Sequence, residues 1–110
     1  MSKSLEPDFP QLFSALGDPI RLEVIRRLTE RGEQSASALS EGHGLSRQAI
    51  AKHLLVLEQA GIVCRRREGR EALFSLESER LVSASEYLRG VSAGWDRALG
   101  RLRRLVEDTD

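Results

Sequence analysis

Residues 45–61 read LSRQAIAKHLLVLEQAG, and this stretch decides the fold. Ile50, Leu54 and Leu57 recur at i, i+4 and i+7, which makes one buried stripe of an α-helix. Arg47, Gln48, Ala51 and Lys52 fall on the opposite side. Ser46 stands where an N-cap is wanted, because its hydroxyl can accept an unpaired amide proton of the first turn. Gly61 follows the last apolar turn, where a left-handed residue ends a helix. The pattern predicts an amphipathic helix of about four turns at ~3.6 residues each. Its exposed face begins with a guanidinium, an amide and an ammonium group, which suit base edges and phosphates in a major groove. A basic group there opposes the helix dipole, so folding alone gives no reason for it. The reading is a recognition helix.

The flanks support it. Upstream, Ser35 can cap a short helix from Ala36 to about Glu41, anchored by Leu39. Gly42, His43 and Gly44 then make a tight turn, so the order is helix, glycine turn, helix. Downstream, Ile62, Val63 and Cys64 are strand formers, with Cys64 expected as a small buried strand residue. Arg65, Arg66 and Arg67 follow, Glu68-Gly69-Arg70 reads as a turn, and Ala72, Phe74 and Leu76 alternate with Leu73 and Ser75. This predicts a two-stranded hairpin with a basic tip, packed on the helices through Val63, Phe74 or Leu76, because a lone hairpin is marginal in water. A helix-turn-helix followed by a basic hairpin is a winged helix.

Further out, Asp18 and Pro19 give an N-cap and an N1 residue for a helix running to about Arg31. Leu22, Ile25 and Leu28, joined by Val24, are its expected inner stripe. Phe9, Leu12, Phe13 and Leu16 mark a short helix before it, and residues 1–8 read as a frayed tail. At the other end Leu81, Leu88, Trp95 and Leu102 are seven apart, with Ala84, Val91, Ala98 and Leu105 three after each. Four heptads need a partner surface, and the simplest is the same segment of a second chain. Gly90 and Gly94 mark a bend or a close approach of two backbones. The fold class is thus mainly α with a small β-hairpin: a winged helix-turn-helix at residues 9–77 with N- and C-terminal dimerisation helices, the C-terminal one at 78–110.

Composition bounds the function. The 110 residues suffice for one compact core. Seventeen Lys+Arg balance seventeen Asp+Glu, but residues 46–71 hold six basic and three acidic side chains, an excess of +3 on the recognition helix and hairpin. One cysteine permits no disulfide within the chain, which suits the cytoplasm, and no apolar run suggests a signal peptide or membrane span. No Gly-rich phosphate loop, nucleophile–base pair or metal cluster marks an enzyme.

Residues 16–28 (LGDPIRLEVIRRL), 35–63 (SASALSEGHGLSRQAIAKHLLVLEQAGIV) and 65–76 (RRREGREALFSL) together resemble the ArsR family of bacterial winged-helix repressors, over roughly residues 9–105. The resemblance implies a homodimer on a palindromic operator, released by an inducer, with base contacts at Arg47, Gln48, Ala51 and Lys52. The family's metal sites have no counterpart. Residues 36–40 hold no thiol, and residues 72–110 hold no histidine. A metal-independent member without a cofactor is therefore expected, its small-molecule inducer, if any, unnamed.

The expected partners are double-stranded DNA and a second copy. The DNA-contact set is Ser46, Arg47, Gln48, Ala51, Lys52, His53, Arg65, Arg66, Arg67 and Arg70, with His53 equally suited to a bond between helices. The dimer set is Phe9, Leu12, Phe13, Leu88, Val91, Trp95, Leu99 and Leu102. The competing reading is a winged-helix protein-interaction module that no longer reads DNA.

Overall fold

The computed structural model describes residues 9–42 and 44–108. The expected tail at residues 1–8 and the turn residue His43 lie outside them. Contacts divide the chain into two units, one ending at Arg80 and one starting at Leu81.

The first unit opens with α1 (Phe9–Leu16) and α2 (Pro19–Arg31). Asp18 caps α2 by accepting from the Arg21 amide at 3.0 Å, and Gly32 closes it with φ +78° by donating to the Leu28 carbonyl. β1 (Gln34–Ser35) leads into α3 (Ala36–Ser40), whose cap is the Ser35 hydroxyl, 3.1 Å from the Ala38 amide. α4 (Arg47–Gln59) is capped in the same way by Ser46, which accepts from the Ala49 amide at 3.1 Å. Gly61, at φ +77°, ends it, with Ile62 donating back to the Leu57 carbonyl. β2 (Val63–Glu68) and β3 (Glu71–Leu76) then form the hairpin.

The core gathers one stripe from each helix. Ile50, Leu54 and Leu57 of α4 are fully buried with Leu12 of α1, Val24 and Leu28 of α2, and Leu39 of α3. Ile62, Val63 and Phe74 close it on the sheet side. At about 1.5–3 kcal/mol for each fully buried aliphatic side chain, this stripe is what holds α4 at its angle. Two assignments change. Leu22 is half exposed, so Val24 and Leu28 carry the buried face of α2. Leu12, expected at a dimer surface, is fully buried within the unit and belongs to its core, since a side chain without exposed area has none to offer a partner.

The sheet has three strands rather than two, in the order β1-β3-β2, all antiparallel. β1 adds only the pairs Gln34↔Phe74 and Ser35↔Leu73. In β2 and β3 the pairs Val63↔Leu76, Arg65↔Phe74 and Arg67↔Ala72 alternate with Cys64↔Ser75, Arg66↔Leu73 and Glu68↔Glu71. Side chains alternate faces along a strand, so the first set shares the face of buried Val63 and Phe74, and the second set shares the other. Cys64 is therefore exposed, not buried, with its Sγ 3.4 Å from Ser75 Oγ.

A long contact fixes the helix-turn-helix. Arg27 of α2 donates through Nη1 to the carbonyls of Leu39 and Glu41, at 3.2 and 2.6 Å, at the C-terminal end of α3. These are carbonyls a short helix leaves unpaired. The following turn passes so close that a Cβ on Gly42, which has φ +83°, would lie 3.1 Å from Arg27 Nη2.

α5 (Ser78–Asp108) continues as one helix through Gly90, Gly94 and Gly100. Within the second unit it presents a long apolar row: Leu88, Trp95, Leu99, Leu102 and Leu105 are each more than half exposed, and Val91 somewhat less. Among the described residues, no helix is long and apolar enough to cross a membrane.

Candidate nucleic-acid interface

The N-terminal turn of α4 and the buried-side face of the hairpin meet in an open cleft of about 350 Å3. Arg47, Gln48 and Ala51 line it from α4, and Arg65 and Arg70 from the hairpin, with Glu71 the acidic group on its wall. Five of the ten residues expected to touch DNA are thus brought together around one concavity. Ser46 is exposed beside them, its hydroxyl engaged as the helix cap. Lys52 and Arg67 are exposed outside the cleft's lining. Arg47, Lys52, Arg67 and Arg70 make no ion pair among the described residues, so their charges are available to an anion.

The other wing arginines differ. Arg65 pairs with Glu58 of α4 at 3.2 Å and lies over the Phe74 ring, 5.9 Å from its centroid. That cation–π contact seats the guanidinium head itself on the Phe74 ring at the cleft wall. Arg66 points to the opposite face of the sheet. Its Nε and Nη2 donate to the two oxygens of Glu33 at 2.7 and 2.9 Å, and Nη2 also donates to Glu68 at 2.8 Å. The guanidinium hydrogen bonds hold the Glu33 carboxyl below its ordinary range and raise the arginine in turn. Strand alternation thus turns Arg66 away from the cleft that its expected phosphate role called for, and two carboxylates bind its Nε and Nη2.

His53 is half-buried on α4, with Nδ1 3.3 Å from Arg21 Nη1 and 3.8 Å from Asp18 Oδ2. A guanidinium only donates, so a hydrogen bond in this pair takes Nδ1 as its acceptor. The bond between helices is thus made. Arg21 was not singled out from the sequence. It also donates to the Ala15 carbonyl at 2.6 Å and the Ser14 carbonyl at 3.4 Å, which ties α1, α2 and α4 together behind the cleft. The amide of Arg21, bound to Asp18, is the main cause that holds the Asp18 carboxyl below its usual range. Its place in the DPIR segment was the available sequence signal.

Of the residues expected at a dimer surface, Phe9 and Phe13 are half-buried with ring centroids 5.9 Å apart, and those on α5 are exposed. Trp95, 63% exposed, flanks an open groove with Val91, Gly94 and Ala98. Among the described residues, no three His, Cys, Asp or Glu side chains are grouped so that they could hold a metal ion.

Helices α2 to α4, the short third strand and the basic hairpin define a winged helix-turn-helix protein, a class built to bind DNA. Residues 16–66 match a family model described as a helix-turn-helix domain. The HTH-type transcriptional regulator YuzN of Bacillus subtilis is 36% identical, over 76% of this chain and 90% of that one. The HTH-type transcriptional regulator Rv2034 of Mycobacterium tuberculosis is 30% identical, over 97% of this chain and 94% of that one. An ArsR-like transcriptional regulator from Rhodococcus sp. RHA1 superposes with a TM-score of 0.75 at 35% identity, over 87% and 90% of the two chains. The chain belongs to the ArsR family of helix-turn-helix transcriptional regulators.

Proposed function

We propose that this chain is a transcriptional repressor that binds double-stranded DNA as a homodimer on an operator of two inverted half-sites. The observation that carries the reading is the cleft where Arg47 and Gln48 of α4 converge with Arg70 of the hairpin. Arginine and glutamine at the start of a recognition helix suit guanine and adenine edges in the major groove. Lys52, Arg67 and Arg70 carry charge that no protein carboxylate neutralises among the described residues, which suits phosphates on either side. Repression is named for several relatives, among them the probable mercury resistance operon repressor of Streptomyces lividans, 30% identical over 86% of this chain.

The dimer is supported by the exposed heptad row on α5, since a contiguous apolar patch of this kind marks an interaction surface. Leu88, Val91, Trp95, Leu99 and Leu102 are its proposed centre, and Phe9 and Phe13 of α1 are proposed as further dimer contacts. In this reading the releasing signal is not a metal held within one protomer. One cysteine and two histidines are few for ions that take three or four such ligands.

A salt titration of the full chain on duplex DNA tests the reading. Log affinity against log salt is expected to fall steeply, by about 0.9 for each phosphate neutralised. A flat line would favour a protein-interaction module instead.

A further inference from the structure

The hairpin leaves the sheet at a definite row. β1 pairs with β3 only at Phe74 and Leu73, so Ser35–Leu73–Arg66 is the last row three strands wide. Beyond it, Arg67↔Ala72 and Glu68↔Glu71 form a bare two-stranded ribbon ending in the Gly69 turn and Arg70. Such a ribbon is marginal alone and twists strongly, so its tilt has to be set at its root. Arg66 stands on that root. Its fork reaches across β3 to Glu33, which directly precedes β1, while the same guanidinium holds Glu68 two rows further out. A bidentate arginine–carboxylate pair fixes orientation as well as distance.

We propose that Glu33 and Arg66 form a positioning clamp that sets the tilt of the wing relative to α4, making acidic Glu33 a positive determinant of DNA affinity. The proposal rests on the DNA-binding reading of the cleft. An acidic side chain near a DNA-binding surface ordinarily weakens binding by repelling phosphate. Here its loss frees the ribbon that carries Arg67 and Arg70, and the sign reverses. Both partners are partly exposed, so the pair adds little to global stability and its effect falls on binding.

The test is a double-mutant cycle with the full chain: wild type, E33A, R66A and the double variant, titrated with a mixed-sequence DNA duplex across a salt series. Each single change is expected to lower affinity about 3- to 5-fold. The double variant should lose no more than either single one. The salt slope and the unfolding midpoints should stay at wild-type values. Tighter binding by E33A, unchanged affinity in both single variants, or a slope flattened by about 0.9 in R66A would overturn the clamp, the last result making Arg66 a phosphate contact. A flat salt slope in the wild type would overturn the DNA reading and the clamp with it. A clamp that fails alone leaves the wild-type slope steep.

Discussion

Arg47 and Gln48 enter the cleft while Arg65, beside them, is pinned by Glu58 and Phe74. The two neighbouring basic groups, Arg47 and Arg65, thus differ in freedom, and mutations should separate them. Arg47→Ala is expected to cost about 1–3 kcal/mol of operator affinity and to relax preference at one base pair, read by competition with single-base operator variants. Arg67→Ala and Arg70→Ala should instead weaken all duplexes alike, each flattening the salt slope by about 0.9. Gln48, Ala51 and Lys52 were legible in the sequence because helical periodicity turns them away from Ile50 and Leu54, whereas Arg47 stands three before Ile50 and is exposed because it opens the helix. The diversion of Arg66 was not, since its partner lies 33 residues away across a strand. Another pair yields a pH prediction. Hydrogen bonds from Arg26 pull the Glu23 carboxyl from its ordinary 4.5 down to about 2. A carboxyl lowered by folding stabilises above its unfolded value, so this contribution is complete above 4.5 and is lost as the pH falls towards 2. The stability difference between wild type and Glu23→Gln should close over that window in denaturant melts.

Helix boundaries were legible wherever a polar cap and a glycine bracket an apolar stripe. Asp18, Ser35 and Ser46 each accept the amide three residues on, and Gly32 and Gly61 take positive φ. β1 was not legible, because two residues carry no alternation to read. The contact of Arg27 with the end of α3 was hidden for the same reason as Arg66: it joins residues 12 and 14 apart in sequence. That contact makes Gly42 a sensitive position. Gly42→Ala forces a side chain into positive φ and against Arg27 Nη2, and should cost about 1–3 kcal/mol, measured as a lower urea midpoint with an unchanged slope. In α5 the glycines raised a choice between a bend and a close approach of two backbones, and the helix runs unbroken from Ser78 to Asp108. Its heptad row was visible because a period of seven survives glycine at other positions.

An apolar row on α5 with nothing of its own unit to cover it asks for a second surface. The proposed dimer answers that need and links the element to the operator, because two recognition helices at a fixed separation define two half-sites. Leu102→Asp should convert the chain from twice its 12.3 kDa mass to the single-chain mass in sedimentation equilibrium, and weaken operator binding as the second half-site is lost. A neutral overall charge hid the nucleic-acid reading at this scale, and only the +3 excess over residues 46–71 revealed it. The central claim is that the cleft at the head of α4 reads base sequence, twice, across a two-fold axis. Selection of binding sites from a random duplex library by the full chain tests it most directly. Enrichment of an inverted repeat with half-site centres about one helical turn, ~10 base pairs, apart is the predicted result, with one position per half-site becoming degenerate when Arg47→Ala is used. A pool that binds the chain without any common sequence, or an enriched site that Arg47→Ala leaves unchanged, would contradict it.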